Sequence, residues 1–344
     1  MVILRALTAL ALSAFVGQMA SAGATPAAEV FELRLVHNYS STHYLARHAI
    51  DPWVQEVESR SEGRVKITVY PASQLGKEQS NLLRYGLADI ALLVPSAEPS
   101  RMPLSSAIEL PIDLGDSCEA AGRIWEAIGP DQPLYQRELA PLGLRPLYAF
   151  ALPPYVVQTA ERRIDRVEDL KGLKIRANGG ALSKSMRALD VIAVQIASSE
   201  IYDALTRGTI DGAYLPLNAT HTYSLDTEVK YLIEGIDLGS SADYFVAREA
   251  TWQRLPPDLQ QIMLEAGQNT QKSLCAWFEQ NEAETRHILT TERGIEAITL
   301  PQGEVDRIQQ RVESVLDEWV GQMERQGRDG RAVLDSLRGG PPAI

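Results

Sequence analysis

The sequence predicts an α/β protein of two lobes, on three observations. Strand-like and helix-like patterns alternate up to Pro95, the same order recurs beyond about residue 147, and long amphipathic tracts close the chain. With 344 residues there is chain enough for two cores rather than one.

Phe31 to His37 alternates apolar and polar residues as a strand does. Polar Asn38 to Ser41 then leads into a helix through about Ser59, with Thr42 placed to cap it. Gly63 precedes a second alternating strand, Arg64 to Tyr70, closed by Pro71. A helix over 76–85 and a strand over Ile90 to Val94 complete an open parallel sheet, whose ligands bind beyond the carboxyl ends of its strands. Glu109 to Gly115 is broken by Pro111 and precedes an amphipathic helix through Cys118, Ala121, Ile124 and Trp125. Residues 25–146 form the first part of lobe 1 in this reading.

The second lobe is expected over 147–235. Its elements are the strand Leu173 to Arg176, a helix over 182–189, a strand over 191–196, a helix over 199–206 and a strand over Gly212 to Leu215. Residues 236–335 return to the first lobe, with Asp243 to Arg248 as the crossing strand. Pro256-Pro257 opens a long helix, and a second helix over 303–326 carries the apolar stripe Ile308, Val312, Val315, Leu316 and Val320. The tail 336–344 is expected to be disordered.

Residues 1–24 read as a secretory leader. Arg5 supplies a positive start, Ala6 to Val16 an apolar run, and Ala20-Ser21-Ala22 or Ala22-Gly23-Ala24 a cleavage site. The run is too short to span a bilayer, so the mature chain is expected to be exported without membrane insertion. A net charge of −12 argues against nucleic acid or an anionic membrane as a partner. Any anionic ligand must therefore be caught by a local cation. Cys118 and Cys275 are too far apart for a redox pair or a zinc set, and the sequence leaves open whether they are bonded or free thiols.

The motifs of an enzyme are missing: there is no GxSxG, HExxH, P-loop or GxGxxG after a strand, and no cofactor is expected. His43 and His48 fall on different faces of one helix, which spoils them as a metal pair. His37 and His221 read as ligand contacts or as ordinary hydrogen-bonded histidines. Arg176, at the end of a short strand, is the positive finding. A guanidinium holds a carboxylate through paired donors and stays charged at any working pH. The competing reading is a surface arginine beside Lys171 and Lys174, or one paired with Asp169.

Two segments, Asp169-Leu-Lys-Gly-Leu-Lys-Ile-Arg176 and Tyr202 to Gly212, resemble the signature of the solute receptors of tripartite ATP-independent periplasmic (TRAP) transporters. The likeness extends through His37-Asn38, Gly63 to Pro71, Gln74-Leu-Gly-Lys77, Leu110-Pro111, Pro153-Pro-Tyr155 and Leu255 to Leu259. It implies a type II-like periplasmic binding fold, two α/β lobes joined by crossing strands and a long hinge-spanning helix. It also implies a ligand carboxylate on Arg176, hinge closure, a periplasmic location and delivery to a TRAP membrane permease.

Sialic-acid-type members of that family carry an asparagine at the position of Leu215 and a second arginine at that of Val156. Apolar residues there suit a monocarboxylate with an apolar or aromatic body, since a hydroxyl-rich ligand would leave buried polar groups unpaired. Tyr155, Tyr214, Tyr39 and Tyr244 are further candidates for the ligand wall, each with core packing as its alternative, and Asn38 is a candidate polar contact. Other readings are a receptor for an ABC importer or a sensor kinase, and a secreted two-lobe hydrolase.

Overall fold

The computed structural model describes residues 29–339, so the expected leader and the last five tail positions, 340–344, lie outside the described residues. Two sheets form the framework. The first has five strands in the order β2 (Val65–Tyr70), β1 (Phe31–Val36), β3 (Ile90–Leu93), β10 (Ala242–Arg248) and β4 (Leu144–Ala151). The second has six, in the order β11 (Glu296–Thr299), β9 (Tyr231–Glu234), β5 (Tyr155–Thr159), β8 (Gly212–Pro216), β6 (Lys174–Arg176) and β7 (Ile192–Val194).

In the first sheet β1 runs parallel to β2 and β3, while β10 lies antiparallel between β3 and β4. Central β3 is buried along its whole length, which is why it reads as a continuous apolar run rather than an alternation. In the second sheet β6 is parallel to β7 and β8, and β5 is antiparallel to β8 and β9.

The lobes are joined at 152–154, between β4 and β5, and again at 235–241, between β9 and β10. The expected lobe boundary near Leu147 therefore falls inside β4, a strand of the first sheet. An apolar run buried on both faces carries no mark of which sheet it joins; the break comes at Pro153-Pro154, where backbone donors are lost. A further departure is β11, which takes the chain back into the second sheet beyond the long helix.

That helix, Pro257–His287, packs on β4 and on helix Asp51–Arg60 in the first lobe and on helix Leu217–Thr222 in the second. It spans the hinge. Trp53 of helix Asp51–Arg60 donates its indole N–H to the Met263 carbonyl at 3.1 Å. Gly267 permits the close approach to β4, because a Cβ there would lie 2.5 Å from the Leu147 carbonyl oxygen. Cys275 of the same helix is bonded to Cys118 of helix Ser117–Ala127, across a sequence separation of 157, with Cα atoms 5.0 Å apart. Closing so long a loop stabilises the fold by up to roughly 5 kcal/mol on the chain-entropy account.

Helix boundaries differ near both ends of the chain. Thr42 does not cap the first helix: its hydroxyl meets Ser40 Oγ at 3.2 Å, and the helix begins at Tyr44 and passes through a wide π turn, Ala46–Ile50. At the other end, residues 336–339 belong to helix Gly330–Gly339, which buries Val333, Leu334 and Leu337. Its apolar spacing is that of an amphipathic helix, which the short glycine-flanked segment concealed.

Candidate functional site

Arg176 is the last residue of β6, at the carboxyl edge of the parallel strands in the second sheet. It is 4% exposed. Its partners are few and distant: Nε and Nη2 each lie 3.4 Å from the Ile196 carbonyl oxygen, and Nη2 lies 3.4 Å from Ser198 Oγ. Burial pulls its pKa below the usual arginine value, and the groups that act back on it are the phenols of Tyr155, Tyr223 and Tyr39 rather than any carboxylate. A buried guanidinium without an anion is costly unless something else supplies the charge.

Register fixes what surrounds it. Arg176 pairs with Ala213, and Val156 pairs with Leu215 across β5 and β8. Because side chains alternate along a strand, Arg176, Ala213, Leu215 and Val156 share one face of the second sheet, and the last three belong to one apolar cluster. Tyr155, Val157 and Tyr214 occupy the other face. Tyr155 stands at the edge, its phenol 3.4 Å from Asn178 Nδ2 and its ring centroid 5.2 Å from that of Tyr214.

The opposing wall comes from the first lobe. Tyr39 donates its hydroxyl to Asp243 Oδ2 at 2.9 Å and stacks on His43 with ring centroids 4.4 Å apart. His43 Nδ1 accepts from the Leu45 N–H at 3.1 Å, so Nε2 carries the proton and donates to the Tyr223 hydroxyl, also at 3.1 Å. Burial lowers the His43 pKa to about 4, which keeps the ring neutral. Asp243, at the start of β10, is pushed up to about 7 by burial. Glu109, also buried, accepts from the Ala181 N–H of helix Gly180–Ala188 at 3.2 Å, and burial raises it to about 8. The pairs His43–Tyr223 and Glu109–Ala181 both run from one lobe to the other.

The sequence-predicted residues are thus distributed unevenly. Arg176, Tyr155 and Tyr39 come together, with Val156 and Leu215 on the face of Arg176. Tyr214 is corrected: its hydroxyl donates to the Gly239 carbonyl at 2.9 Å and accepts from the Leu238 N–H at 3.1 Å, so it braces the interlobe segment and has no capacity for a ligand carboxylate. Tyr244 is also corrected, because alternation along β10 turns it into the first-lobe core while Asp243 takes the opposite face. Asn38 Oδ1 accepts from Ser73 Oγ at 2.9 Å and lies 2.6 Å from the Gln79 amide, which ties it to its own lobe. His37 is buried and lowered to about 4, and His221 is exposed beside Asp226.

Tyr223, His43, Ser198, Asp243 and Glu109 were not legible as a site. Only Asp243 carries a local signal, a lone carboxylate entering an apolar strand. A cavity of about 480 Å³ is lined by Leu152, Tyr155, Val156, Tyr214, Glu234 and Arg286 among others. Its arginine is already spent, since Arg286 binds Glu234 through two contacts of 2.7 and 2.6 Å. The unpaired cation makes the Arg176 side the better candidate.

Two sheets linked by crossing segments and one hinge-spanning helix define the two-lobed class of solute-binding proteins. The chain belongs to the DctP family of TRAP solute receptors: the family model of bacterial extracellular solute-binding proteins, family 7, matches residues 35–322. It is similar to a solute-binding protein of Verminephrobacter eiseniae, with 25% identity over 241 residues, 68% of this chain and 70% of the relative. Among solved structures, a TRAP solute-binding protein from Rhodoferax ferrireducens in complex with copurified benzoate has a TM-score of 0.80 and 24% identity, over 90% of this chain and 97% of that one. A TRAP periplasmic protein from Bordetella bronchiseptica with bound (R)- and (S)-mandelate has a TM-score of 0.79 and 23% identity, over 90% and 98%. At such identities the structural likeness establishes the fold. Among the described residues no helix is long and apolar enough to cross a membrane.

Proposed function

We propose that this receptor works in the periplasm, binds a monocarboxylic acid with an apolar or aromatic body, and delivers it to a TRAP membrane permease. Arg176 holds the carboxylate, Val156 and Leu215 meet the body, and the lobes close because the closed form binds the acid better. The observation that carries this reading is the buried guanidinium of Arg176, which has no acidic partner among the described residues. The benzoate and mandelate bound by structures of the same fold support the ligand class, and the Cys118–Cys275 bond suits an oxidising compartment.

The test is native mass spectrometry of freshly purified protein, followed by thermal-shift screening of aromatic, 2-oxo, aliphatic and dicarboxylic acids. A copurified monocarboxylate, or a melting temperature raised most by one, is the expected result. Tightest binding of a C4-dicarboxylate or a sugar acid would refute the ligand class.

A further inference from the structure

Asp243 is 0% exposed, and its two carboxyl oxygens are treated differently by the fold. Oδ2 accepts from Tyr39, whereas Oδ1 has no hydrogen-bond partner among the described residues. An orphaned carboxyl oxygen at a buried position demands an explanation, because buried polar atoms are almost always hydrogen-bonded. Position supplies one. Asp243 begins β10, which runs antiparallel to β3, so it stands at the carboxyl end of a parallel strand, as Arg176 does in the other lobe.

The same phenols act on both residues. Tyr155 and Tyr223 each feel both Arg176 and Asp243, and Tyr39 binds one while acting on the other. Yet among the described residues Arg176 and Asp243 form no ion pair, although both act on these phenols.

We propose that Asp243 is the second polar anchor of the site, and that the cognate ligand is a monocarboxylic acid whose body carries an O–H or N–H that Asp243 Oδ1 accepts. This rests on the reading of Arg176 as the carboxylate clamp. Above the Asp243 pKa of about 7, a second carboxylate on the ligand would meet it with like charge, and an oxo group would set acceptor against acceptor. A hydroxyl or ring N–H satisfies the orphaned oxygen.

Calorimetric titration of the purified protein with matched acids at pH 8, where the Asp243 carboxyl is mostly ionised, separates these cases. The pairs are 3-hydroxybenzoate against benzoate, mandelate against phenylacetate, mandelate against benzoylformate, and lactate against propionate. The member with the donor is expected to bind at least tenfold tighter in the pair that fits the cleft, and Asp243→Leu to abolish the preference. Asp243→Asn, which can turn an N–H toward the ligand, is expected to shift the choice from mandelate toward benzoylformate. Equal affinities within every pair that binds, or a wild-type preference for benzoylformate, would overturn the proposal while leaving the Arg176 clamp intact. If none of these acids nor any of the wider carboxylate screen binds, the clamp itself fails and this inference with it. The wild-type comparison needs no folded variant.

Discussion

His43 of the first lobe and Tyr223 of the second meet across the cleft, with the imidazole Nε2 3.1 Å from the phenol oxygen. The donor is fixed, because the Leu45 N–H occupies Nδ1 and burial keeps the ring neutral. This bond exists only while the lobes are together, so it contributes to closure and not to the stability of either lobe alone. Tyr223→Phe removes the acceptor and strands the His43 donor. A net hydrogen bond contributes about 0.5 to 1.5 kcal/mol, so ligand affinity should fall roughly three- to tenfold. Thermal stability without ligand should change little if the free receptor is open. Titration calorimetry beside a thermal melt reads both, and an unchanged affinity would show that the bond plays no part in closure.

Arg176 leads to an opposite pairing of effects. In the absence of ligand its buried charge is a burden, since among the described residues only Ile196 O and Ser198 Oγ approach it, each at 3.4 Å. Arg176→Met should therefore leave the ligand-free melting temperature unchanged or raise it. With the acid present, the same change should weaken binding by at least about tenfold, roughly 1.4 kcal/mol. A variant that loses stability but binds the acid normally would mark Arg176 as a structural cation.

What the sequence makes legible, and what it hides, divides by range. Arg176 stands at the end of a local strand signal, so its placement at a strand edge follows from neighbouring residues. The partners across the cleft follow from nothing local: Tyr39 and Asp243 are 204 positions apart, and His43 and Tyr223 are 180. The disulfide is of the same kind, brought about by two helices whose packing no spacing rule encodes. Tyr214 and Tyr244 were misplaced because a tyrosine suits a ligand wall and a core equally well. Strand register separates the two, and register is a property of the assembled sheet.

Glu109 gives a pH dependence. Its carboxyl is raised from 4.5 to about 8 in the folded protein, chiefly by burial, although the Ala181 N–H and Ser96 pull the other way. Between those values the folded form holds a proton that the unfolded chain has released. The contribution is therefore fully present below about 4.5 and is lost as pH climbs through about 8. Asp243, raised to about 7, acts in the same direction, so the wild type alone does not isolate Glu109. Glu109→Gln mimics the protonated group, and its melting temperature relative to wild type should rise steadily from pH 5 to pH 8. A difference that stays constant over this range would place the Glu109 carboxyl in solvent.

Val156 and Leu215 test the ligand's body. They are directly opposed on β5 and β8 and share the face of Arg176, which makes both candidates for contact with whatever extends from a carboxylate held there. Their burial in one apolar cluster also makes them part of the second-lobe core. Substitution must therefore be judged on selectivity rather than on affinity alone. Leu215→Asn removes apolar surface worth about 1.5 to 3 kcal/mol if the side chain is fully buried, so a lower melting temperature is expected in any case. If Leu215 touches the ligand, the amide should also narrow the gap between a monocarboxylate such as benzoate and a hydroxyl-rich acid such as sialic acid. An adjacent polar group then recovers the hydrogen bonds that the apolar wall denies. If Leu215 serves only the core, both acids should lose affinity by the same factor. Competition titration of the two acids against wild type and variant distinguishes these outcomes. An unchanged ratio, with the fold preserved, would remove Leu215 from the site.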